Sequence, residues 1–280
     1  MNDTSINTDH QRIGVIMVHF DNISNTQKSV KSIIDSPLIH HIIIINNSSS
    51  AITNAYLVSQ NKTKIINSQN NVGYGKAINL GLDQLKDSNI THILIMNNNI
   101  LLDQISLNNL LLTIDTDLMI VSPVIYDELG SVWFHGGELD KIRYSAGHKT
   151  GKIDFLSGAC LLTTKFVLNV IGSFSEDYFL YYEDVDFSLR ALQKKVALKI
   201  VENSKAIHIT KKDSTSNKNM NYYLSRNHLL LIKKFAPIST QFIEYFRIPY
   251  TIIEHIMNNE IDSVIGIIDY IRGKKGIRNE

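Results

Sequence analysis

Three carboxylates lie within four residues of one another, directly after an aromatic run. Glu183, Asp184 and Asp186 follow the segment FSEDYFLYY. Like charges this close repel each other, and such clusters are typical of sites that hold a cation or a base. An aromatic wall beside a carboxylate also suits the stacking and deprotonation of a hydroxyl-bearing substrate such as a sugar. The alternative is structural: a helix N-terminus that favours carboxylates, with Asp186 paired to Arg190 one turn later.

Short apolar runs alternate with helix-length amphipathic segments in the first half of the chain. Strands are predicted at Ile13–His19, His41–Ile45, Lys62–Ile66 and Ile90–Met96, and helices near Ser24–Asp35, Ile52–Gln60 and Lys76–Lys86. This alternation predicts a parallel sheet with helices on both faces, in which ligands bind beyond the carboxyl ends of the strands. Small polar loops follow three of these strands, at His19–Asn22, Asn46–Ser50 and Asn97–Asn99. Turn chemistry accounts for any one loop, whereas three at one edge favour a binding site.

The alternation stops near Ser131. Trp133–Gly137 and Tyr144–Gly151 are predicted to be irregular, with strands at Phe155–Thr163, Val196–Val201 and Ala206–Ile209, and helices at Lys165–Val170 and Asp184–Lys194. From about Asn219 to Arg272, apolar residues recur at three- and four-residue spacing, which predicts helices. We therefore expect one α/β domain followed by a helical C-terminal extension.

Composition excludes several classes of protein. The 280 residues carry 28 basic and 27 acidic side chains, so nucleic acid is not an implied partner. The single cysteine, Cys160, lies in the apolar segment SGACLLTT and is predicted to be an inert core residue, suited to a reducing compartment. The N-terminus lacks the pattern of a signal peptide, and no apolar run reaches the ~20 residues of a membrane span. A cytoplasmic protein is expected.

Two further motifs leave their chemistry open. Gly73 and Gly75 follow a strand and open a helix, where phosphate is favoured. Their spacing is not GxGxxG, so the alternatives are a weak dinucleotide motif and an ordinary glycine-rich turn. A carboxylate at Asn99 would hold a divalent cation beneath a diphosphate, but asparagine offers only a neutral carbonyl. His208 ends a predicted strand and is structural unless the fold returns it to this motif.

Nine segments of the chain match one known family in the same order along the sequence. They are IGVIMVHFDN at Ile13–Asn22, IIINNSSS at Ile43–Ser50, NNVGYGKAINLGL at Asn70–Leu82, ILIMNNN at Ile93–Asn99, FLSGACLL at Phe155–Leu162, IGSFSEDYFLYYEDVDFSLR at Ile171–Arg190, AIHI at Ala206–Ile209, YYLSRNHLLLIKK at Tyr222–Lys234 and GIIDYIRGKKG at Gly266–Gly276. Together they resemble the family 2 glycosyltransferases, particularly the bacterial rhamnosyltransferase-like branch.

The resemblance implies a fold and a reaction. The fold is GT-A, a Rossmann-like nucleotide-binding mixed sheet flanked by helices, over residues 1–215, with a helical extension over 216–280. Residues 11–125 would form the nucleotide-sugar half, and residues 126–215 the acceptor half. The reaction is inverting transfer from a nucleotide-diphosphate sugar to a hydroxyl of a glycan or lipid-linked oligosaccharide, in the synthesis of a cell-surface polysaccharide such as O-antigen or capsule.

The resemblance also implies roles for individual residues. Asp184 would be the general base, with Glu183 and Asp186 orienting it or the acceptor. The implied nucleotide-sugar residues are His19, Phe20, Asn22, Asn46, Asn71, Gly73, Lys76, Asn79, Asn97 and Asn98, and the acceptor-side residues are Trp133, Gly158, Tyr181 and Tyr182. Asn99 and His208 would hold Mg²⁺ or Mn²⁺. The chain departs from the family at Asn46 and Asn99, where aspartate is usual; the second departure weakens the metal site.

Three readings of function compete. The first is an active glycosyltransferase, which the retained Asp184 and His208 favour. The second is a degenerate relative that binds a nucleotide sugar or a partner without catalysis, which Asn46 and Asn99 favour. The third, a Rossmann oxidoreductase, requires a GxGxxG motif and a ribose-binding acid that do not appear. Basic patches at Lys233–Lys234 and Arg272–Lys275 are compatible with a peripheral contact at the inner membrane face, or with solvated surface charge. The C-terminal helices are equally compatible with a homodimer.

Overall fold

A computed structural model describes residues 11–148, 153–209 and 218–278. Its strands are β1 (Ile13–His19), β2 (Ile39–Asn46), β3 (Thr63–Asn67), β4 (His92–Asn97), β5 (Ile100–Leu102), β6 (Met119–Asp127), β7 (Val132–Phe134), β8 (Gly137–Leu139), β9 (Ala146–His148), β10 (Cys160–Thr164) and β11 (Ala197–His208). Its helices are α1 (Ile23–Ile33), α2 (Ala55–Ser59), α3 (Tyr74–Leu85), α4 (Gln104–Thr113), α5 (Lys165–Ile171), α6 (Glu183–Gln193), α7 (Lys218–Phe235), α8 (Ile238–Met257) and α9 (Ile261–Ile271).

The main sheet is mixed and runs in the order β3-β2-β1-β4-β10-β6-β11-β5, with β7 paired to β6. The four strands predicted in the first half are mutually parallel. β10 joins them antiparallel to both β4 and β6. The residues of β1, β4 and β10 are almost entirely buried, as in a sheet covered on both faces, whereas those of the edge strand β3 are partly exposed. The predicted α/β mixed sheet flanked by helices is therefore confirmed.

Several predicted boundaries are wrong. The strand expected over Phe155–Thr163 begins only at Cys160, because the preceding residues form a loop held by a single bridge between Gly137 and Phe155. The strands expected at Val196–Val201 and Ala206–Ile209 are one strand with a bulge. The helix expected over Ile52–Gln60 is the five-residue α2.

The region predicted to be irregular holds short strands. Trp133 lies in β7, and β8 and β9 form a small hairpin of their own. Residues 149–151 of the predicted irregular segment lie outside the described residues, as does the predicted domain boundary at 215–216. β5, α4 and β6 carry no prediction, although Asp103 caps α4 by accepting a hydrogen bond from the Ser106 N–H.

The C-terminal helices pack on the sheet domain and on one another. Leu231 of α7 is fully buried in the main core, and Leu229, Ile232 and Ile267 form a second cluster between α7 and α9. Gly266 allows this approach, because a Cβ there would stand 2.4 Å from the Tyr222 carbonyl oxygen. Cys160 is fully buried, and burial raises the pKa of its thiol to about 12, as expected of an inert core residue. Within the described part of the chain, no helix is long and apolar enough to cross a membrane.

Candidate active site

The three polar loops meet at one edge of the sheet. In the strand register His19 stands beside Asn46, and Val18 stands beside Asn97. The loop before β10 reaches the same edge, since the Asn97 N–H donates to the Ala159 carbonyl at 2.9 Å. Parallel strands thus bring residues from four distant segments together at their carboxyl ends.

Asn47 joins the loop after β2 to the glycine-containing loop before α3. Its Nδ2 donates to Asn71 Oδ1 at 2.8 Å, and its Oδ1 accepts from the Val72 N–H at 2.8 Å. Asn46, by contrast, is satisfied within its own surroundings: its amide donates to the Ser50 carbonyl and to Asn67, and it accepts from the Ser48 N–H. Asn46 is therefore buried and holds the loop together by hydrogen bonds, whereas Asn47 lies at the pocket wall.

A cavity of about 520 Å³ lies between these loops and the C-terminal extension. This volume falls within the ~300–1,000 Å³ of small-molecule sites. Its lining combines the half-exposed ring of Phe20 with loop residues and with the C-terminal helices; the residues are Val18, Phe20, Asn47, Asn71, Gly73, Tyr74, Phe179, Leu180, Asn219, Tyr223, Ile277 and Arg278. An aromatic face flanked by amides suits a planar base and a ribose.

Gly73 brings the pocket floor against the aromatic run. Its φ of +85° lies in the left-handed region, and a Cβ there would stand 2.6 Å from the Phe179 carbonyl oxygen. The next residue, Tyr74, donates its N–H to the same carbonyl at 2.7 Å. Glycine is required by both conformation and space.

The aromatic run ends in a strained turn. Phe179, Tyr181 and Tyr182 all have positive φ, between 66° and 73°, which non-glycine residues rarely adopt. Each such residue costs about 1–3 kcal/mol, so the surroundings must hold it in place. The turn delivers the chain directly into α6 at Glu183.

Two fully buried residues of α7 hold this turn. Asn227 Nδ2 lies 2.8–3.0 Å from the carbonyl oxygens of Tyr178, Leu180 and Tyr181. Arg226 donates to the Tyr178 carbonyl at 2.7 Å. Strained carbonyls that would otherwise face the core are therefore satisfied by the C-terminal extension.

Asp184 is held at the start of α6 by backbone donors. Its Oδ2 accepts from the Gly158 N–H at 2.9 Å, and its Oδ1 accepts from the Val185 N–H at 2.8 Å. Burial raises the pKa of Asp184, and these N–H groups oppose the rise. The side chain remains partly exposed. A carboxylate with a raised pKa, held rigidly and only partly buried, is suited to general base catalysis.

Tyr74 links Asp184 to the pocket. Its hydroxyl donates to the Gly158 carbonyl at 2.6 Å, and its ring lines the cavity. A Cβ on Gly158 would stand 3.2 Å from the Tyr74 ring and 3.3 Å from the Asp184 side chain. The candidate base and the pocket therefore share one wall.

Glu183 is buried behind this wall. Its Oε2 has no hydrogen-bond partner among the described residues, and only 5% of the residue is exposed. Burial first, and repulsion from Asp184 second, raise the pKa of Glu183 well above its ordinary value. A protonated carboxyl beside a carboxylate relieves the repulsion between the two.

Asp186 points away from the pocket. It is fully buried and forms ion pairs with Arg190, at 2.7 Å, and with Lys234 of α7. Tyr178 also donates its hydroxyl to Asp186. The predicted Asp186–Arg190 pair is present, and Asp186 ties α6 to α7 and to the aromatic run.

The segment Asn97–Asn99 presents neutral donors. Asn99 Nδ2 faces His208 Nε2 at 3.0 Å and donates to the Ile209 carbonyl at 3.1 Å. Two buried atoms here, Asn97 Oδ1 and His208 Nδ1, have no partner among the described residues. The fold thus returns His208 to this motif, as the resemblance implies.

This donor set does not fit a divalent cation bound by the protein alone. Hard cations prefer carboxylate oxygens, and Asn97, Asn99 and His208 contribute no negative charge. Across the described ranges, no group of three His, Cys, Asp or Glu side chains could hold a metal ion.

The other residues implied by the resemblance divide into two groups. His19 and Asn98 converge on Thr26 Oγ1, at 2.6 and 3.0 Å, behind the pocket. Asn22 caps α1 through the Asn25 N–H. Lys76 and Asn79 face the segment before the aromatic run: Lys76 lies 3.7 Å from Glu176, and Asn79 bonds the Phe174 backbone through both its amide and its carbonyl groups. None of these five side chains lines the cavity.

The residues that the resemblance assigns to an acceptor side are mainly aromatic. The Trp133 ring packs on His208 with centroids 4.3 Å apart, and the Tyr182 ring stacks on His228 at 6.1 Å. Tyr181 lies in the strained turn and is partly exposed. Trp133 thus lies beside the Asn99–His208 pair, whereas Tyr181 and Tyr182 lie in the turn that leads to Asp184.

The residues that the sequence did not single out are Asn47, Tyr74, Arg226 and Asn227. Asn47 and Tyr74 lie inside segments that match the family, but the resemblance implies roles for neighbouring residues rather than for these two. Arg226 and Asn227 match the family segment at Tyr222–Lys234, but no local pattern links them to a turn about 46–50 residues earlier.

These features define a class of protein. A family model described as glycosyl transferase family 2 matches residues 14–172, more than half of the chain. The chain belongs to this family, and the implied family is confirmed.

Individual relatives agree with that class. The low-salt glycan biosynthesis hexosyltransferase Agl10 of Haloferax volcanii is 23% identical over 219 residues, which cover 72% of this chain and 69% of its own. The dTDP-rhamnosyl transferase RfbF of Shigella flexneri is 22% identical over 259 residues, covering 84% and 88%. The crystal structure of GalNAc-T7 with UDP, GalNAc and Mn²⁺ superposes with a TM-score of 0.62 at 13% identity, over 79% of this chain and 49% of that one. This chain therefore spans about half of the GalNAc-T7 chain, and the likeness shows a shared fold.

Proposed function

We propose that the protein transfers a hexosyl or deoxyhexosyl group from a nucleotide-diphosphate sugar to a glycan hydroxyl, with inversion at the anomeric carbon. The observation that carries the proposal is the Asp184 carboxylate, fixed by Gly158 and sharing the Tyr74 wall with a nucleoside-sized pocket. The hexosyl and rhamnosyl transfer named for two relatives supports the kind of sugar.

The proposed step is a single displacement. Asp184 accepts the proton of an acceptor hydroxyl, and the resulting oxygen nucleophile forms a bond to the anomeric carbon. The bond from that carbon to the β-phosphate oxygen breaks on the opposite face, and the nucleoside diphosphate leaves with the electron pair. The acceptor would lie against the aromatic side chains beside Asp184, in keeping with sugar stacking.

The acceptor we propose is a growing cell-surface polysaccharide, such as O-antigen or capsule, free or linked to a lipid. The Haloferax volcanii relative is named as a glycan biosynthesis hexosyltransferase, which supports a glycan acceptor. A cytoplasmic location is proposed on the single, buried Cys160, which suits a reducing compartment.

The role of a cation is proposed to be small. GalNAc-T7 was solved with Mn²⁺, whereas here Asn97 and Asn99 supply only neutral oxygens. The protein adds no negative charge that would hold Mg²⁺ or Mn²⁺, and the displacement is assigned to Asp184 and the acceptor hydroxyl.

The test is a donor panel of UDP-, GDP- and dTDP-sugars, scored both for binding by calorimetry and for release of the nucleoside diphosphate. We expect at least one donor to bind and to release its nucleotide, faster with an acceptor glycan present. A donor that binds without any release would establish the degenerate binding protein that Asn46 and Asn99 favour. The absence of binding by any donor would overturn both functions.

A further inference from the structure

Helix α8 turns apolar side chains toward the solvent and a charged side chain toward the protein. Nine of its large apolar side chains are more than half exposed; they are Ile238, Phe242, Ile243, Tyr245, Phe246, Tyr250, Ile253, Ile256 and Met257. The side that packs against the protein holds Glu244, which is buried and paired with Arg247 at 2.7 Å. A surface helix ordinarily turns its apolar stripe inward and its charges outward.

The exposed apolar side chains form one continuous face. At 100° per residue, Phe242, Phe246 and Ile253 lie at its centre, and Tyr245 and Ile243 lie at its two edges. Along α8, every residue of which is described, Glu254 is the exposed acid, and the face carries no lysine or arginine apart from the paired Arg247.

The area of this face exceeds what a monomer ordinarily exposes. Side chains exposed by 53–80% contribute about 100 Å² each, so nine of them present on the order of 1,000 Å². The largest apolar patch on a typical monomer is roughly 300–600 Å². A stable interface needs about 800 Å² from each partner, which this face alone supplies.

The residues outside the described ranges carry few large apolar side chains that could cover this face. Outside the described residues, the only large apolar residues in the sequence are Met1 and Ile6, against nine on the face. An anionic lipid surface is disfavoured as well, because helices that lie on membranes carry lysine and arginine around their apolar face. An uncharged apolar face can be buried against an identical face of a second copy, because a two-fold axis brings the same patch of both copies together.

We propose that this face of α8 is the interface of a homodimer, in which the α8 helices of two copies pack together about a two-fold axis. The pocket and Asp184 lie on other elements, so the dimer stands independently of the proposed reaction. Each copy would keep its own site, and α8 would join the two copies through the C-terminal extension.

Sedimentation velocity of the full chain tests this interface, comparing wild type with Phe246→Asp and Ile253→Asp. Both side chains point outward, so the variants should keep the wild-type circular dichroism at low temperature, which shows that they fold. Leu129→Asp is the matched control, because Leu129 is 83% exposed in the turn between β6 and β7. We expect wild type and Leu129→Asp to sediment as dimers, and both α8 variants as monomers.

Two outcomes would overturn the proposal. The first is a wild-type protein that stays monomeric at every concentration; flotation with vesicles of mixed zwitterionic and anionic phospholipid, lost in Phe246→Asp, would then assign the face to lipid. The second is a dimer that persists in both α8 variants, which would place the interface elsewhere.

Discussion

At the residue scale, the adjacent carboxyl groups of Glu183 and Asp184 differ in the hydrogen-bond donors that they receive. Asp184 receives two backbone N–H groups, whereas the buried Glu183 Oε2 has no partner among the described residues. Burial raises both pKa values; the N–H groups of Gly158 and Val185 stabilise the charge of Asp184, whereas the charge of Glu183 is stabilised only by its own backbone N–H. Asp184 is therefore the better candidate base, and Glu183 is better placed to stay protonated behind it.

The raised pKa of Glu183 predicts a pH-dependent stability. A carboxyl group whose pKa is higher in the folded state stabilises the fold fully below its ordinary value of 4.5, and this contribution is lost as the pH rises toward the folded-state pKa. Glu183→Gln removes the titration. Thermal melts should show the variant matching wild type in acid and exceeding it by at least about 1 kcal/mol at about pH 9. Parallel curves for the two proteins would contradict the assignment.

Asn99 predicts weak metal binding. Calorimetric titration of the donor-free protein with Mn²⁺ should show no binding tighter than about 10⁻³ M, because only neutral donors are present. Asn99→Asp restores a carboxylate beside His208 and should tighten binding at least about tenfold. Micromolar Mn²⁺ binding by wild type, unchanged in the variant, would show that the cation is held elsewhere.

At the scale of elements, the site depends on the contact between the start of α3 and the aromatic turn before α6. Gly73 and the Tyr74 N–H hold this contact from one side, and Asn227 of α7 holds it from the other. The C-terminal extension thus shapes the site as well as the surface, since it fixes three residues of positive φ.

Gly73→Ala should disturb this contact. The methyl group meets the Phe179 carbonyl, and the positive φ is strained for alanine, so unfolding should become easier by about 1–3 kcal/mol or more. Gly147→Ala is the control, because its added Cβ meets nothing within 4 Å. Chemical denaturation compares the two. A Gly73→Ala protein as stable as the control would show that the turn adjusts to the added methyl group without a cost in stability.

Asn227→Asp should loosen the turn. It replaces an amide that donates to three carbonyl groups with a carboxylate that repels them, at a cost of at least about 2 kcal/mol. Turnover should fall more than donor affinity, because the turn positions Asp184. Steady-state kinetics and melts test this, with Asn221→Asp on the same helix as control. Equal effects of the two substitutions would remove the special role of Asn227.

At the scale of the whole molecule, the sequence predicted what is encoded locally. The alternation of apolar runs identified β1 to β4 and helices α1 and α3, and the polar loops identified the edge where they meet. The distant partners could not be predicted: Lys234, which pairs with Asp186, and Asn227, which holds the strained turn, lie more than 45 residues away in sequence. The bulge in β11 and the late start of β10 were missed because pairing partners, rather than local propensity, set them.

The family resemblance named further site residues, of which some line the pocket and others do not. It named Phe20, Asn71 and Gly73, which line one pocket in the structure, and His208, which lies beside Asn99. It also included Lys76 and Asn79, which face Glu176 and the Phe174 backbone instead. These two side chains shape the pocket indirectly, through the segment leading to the aromatic turn.

The most direct measurement of the central claim is turnover by Asp184→Asn, with donor affinity measured on the same protein. We expect turnover to fall about 10²–10⁴-fold while the dissociation constant of the donor stays within about threefold of wild type. Asp177→Asn is the matched control, since Asp177 lies half-exposed in the same segment and pairs with Lys275. It should retain turnover. Wild-type turnover in Asp184→Asn would contradict the assignment of Asp184 as the base.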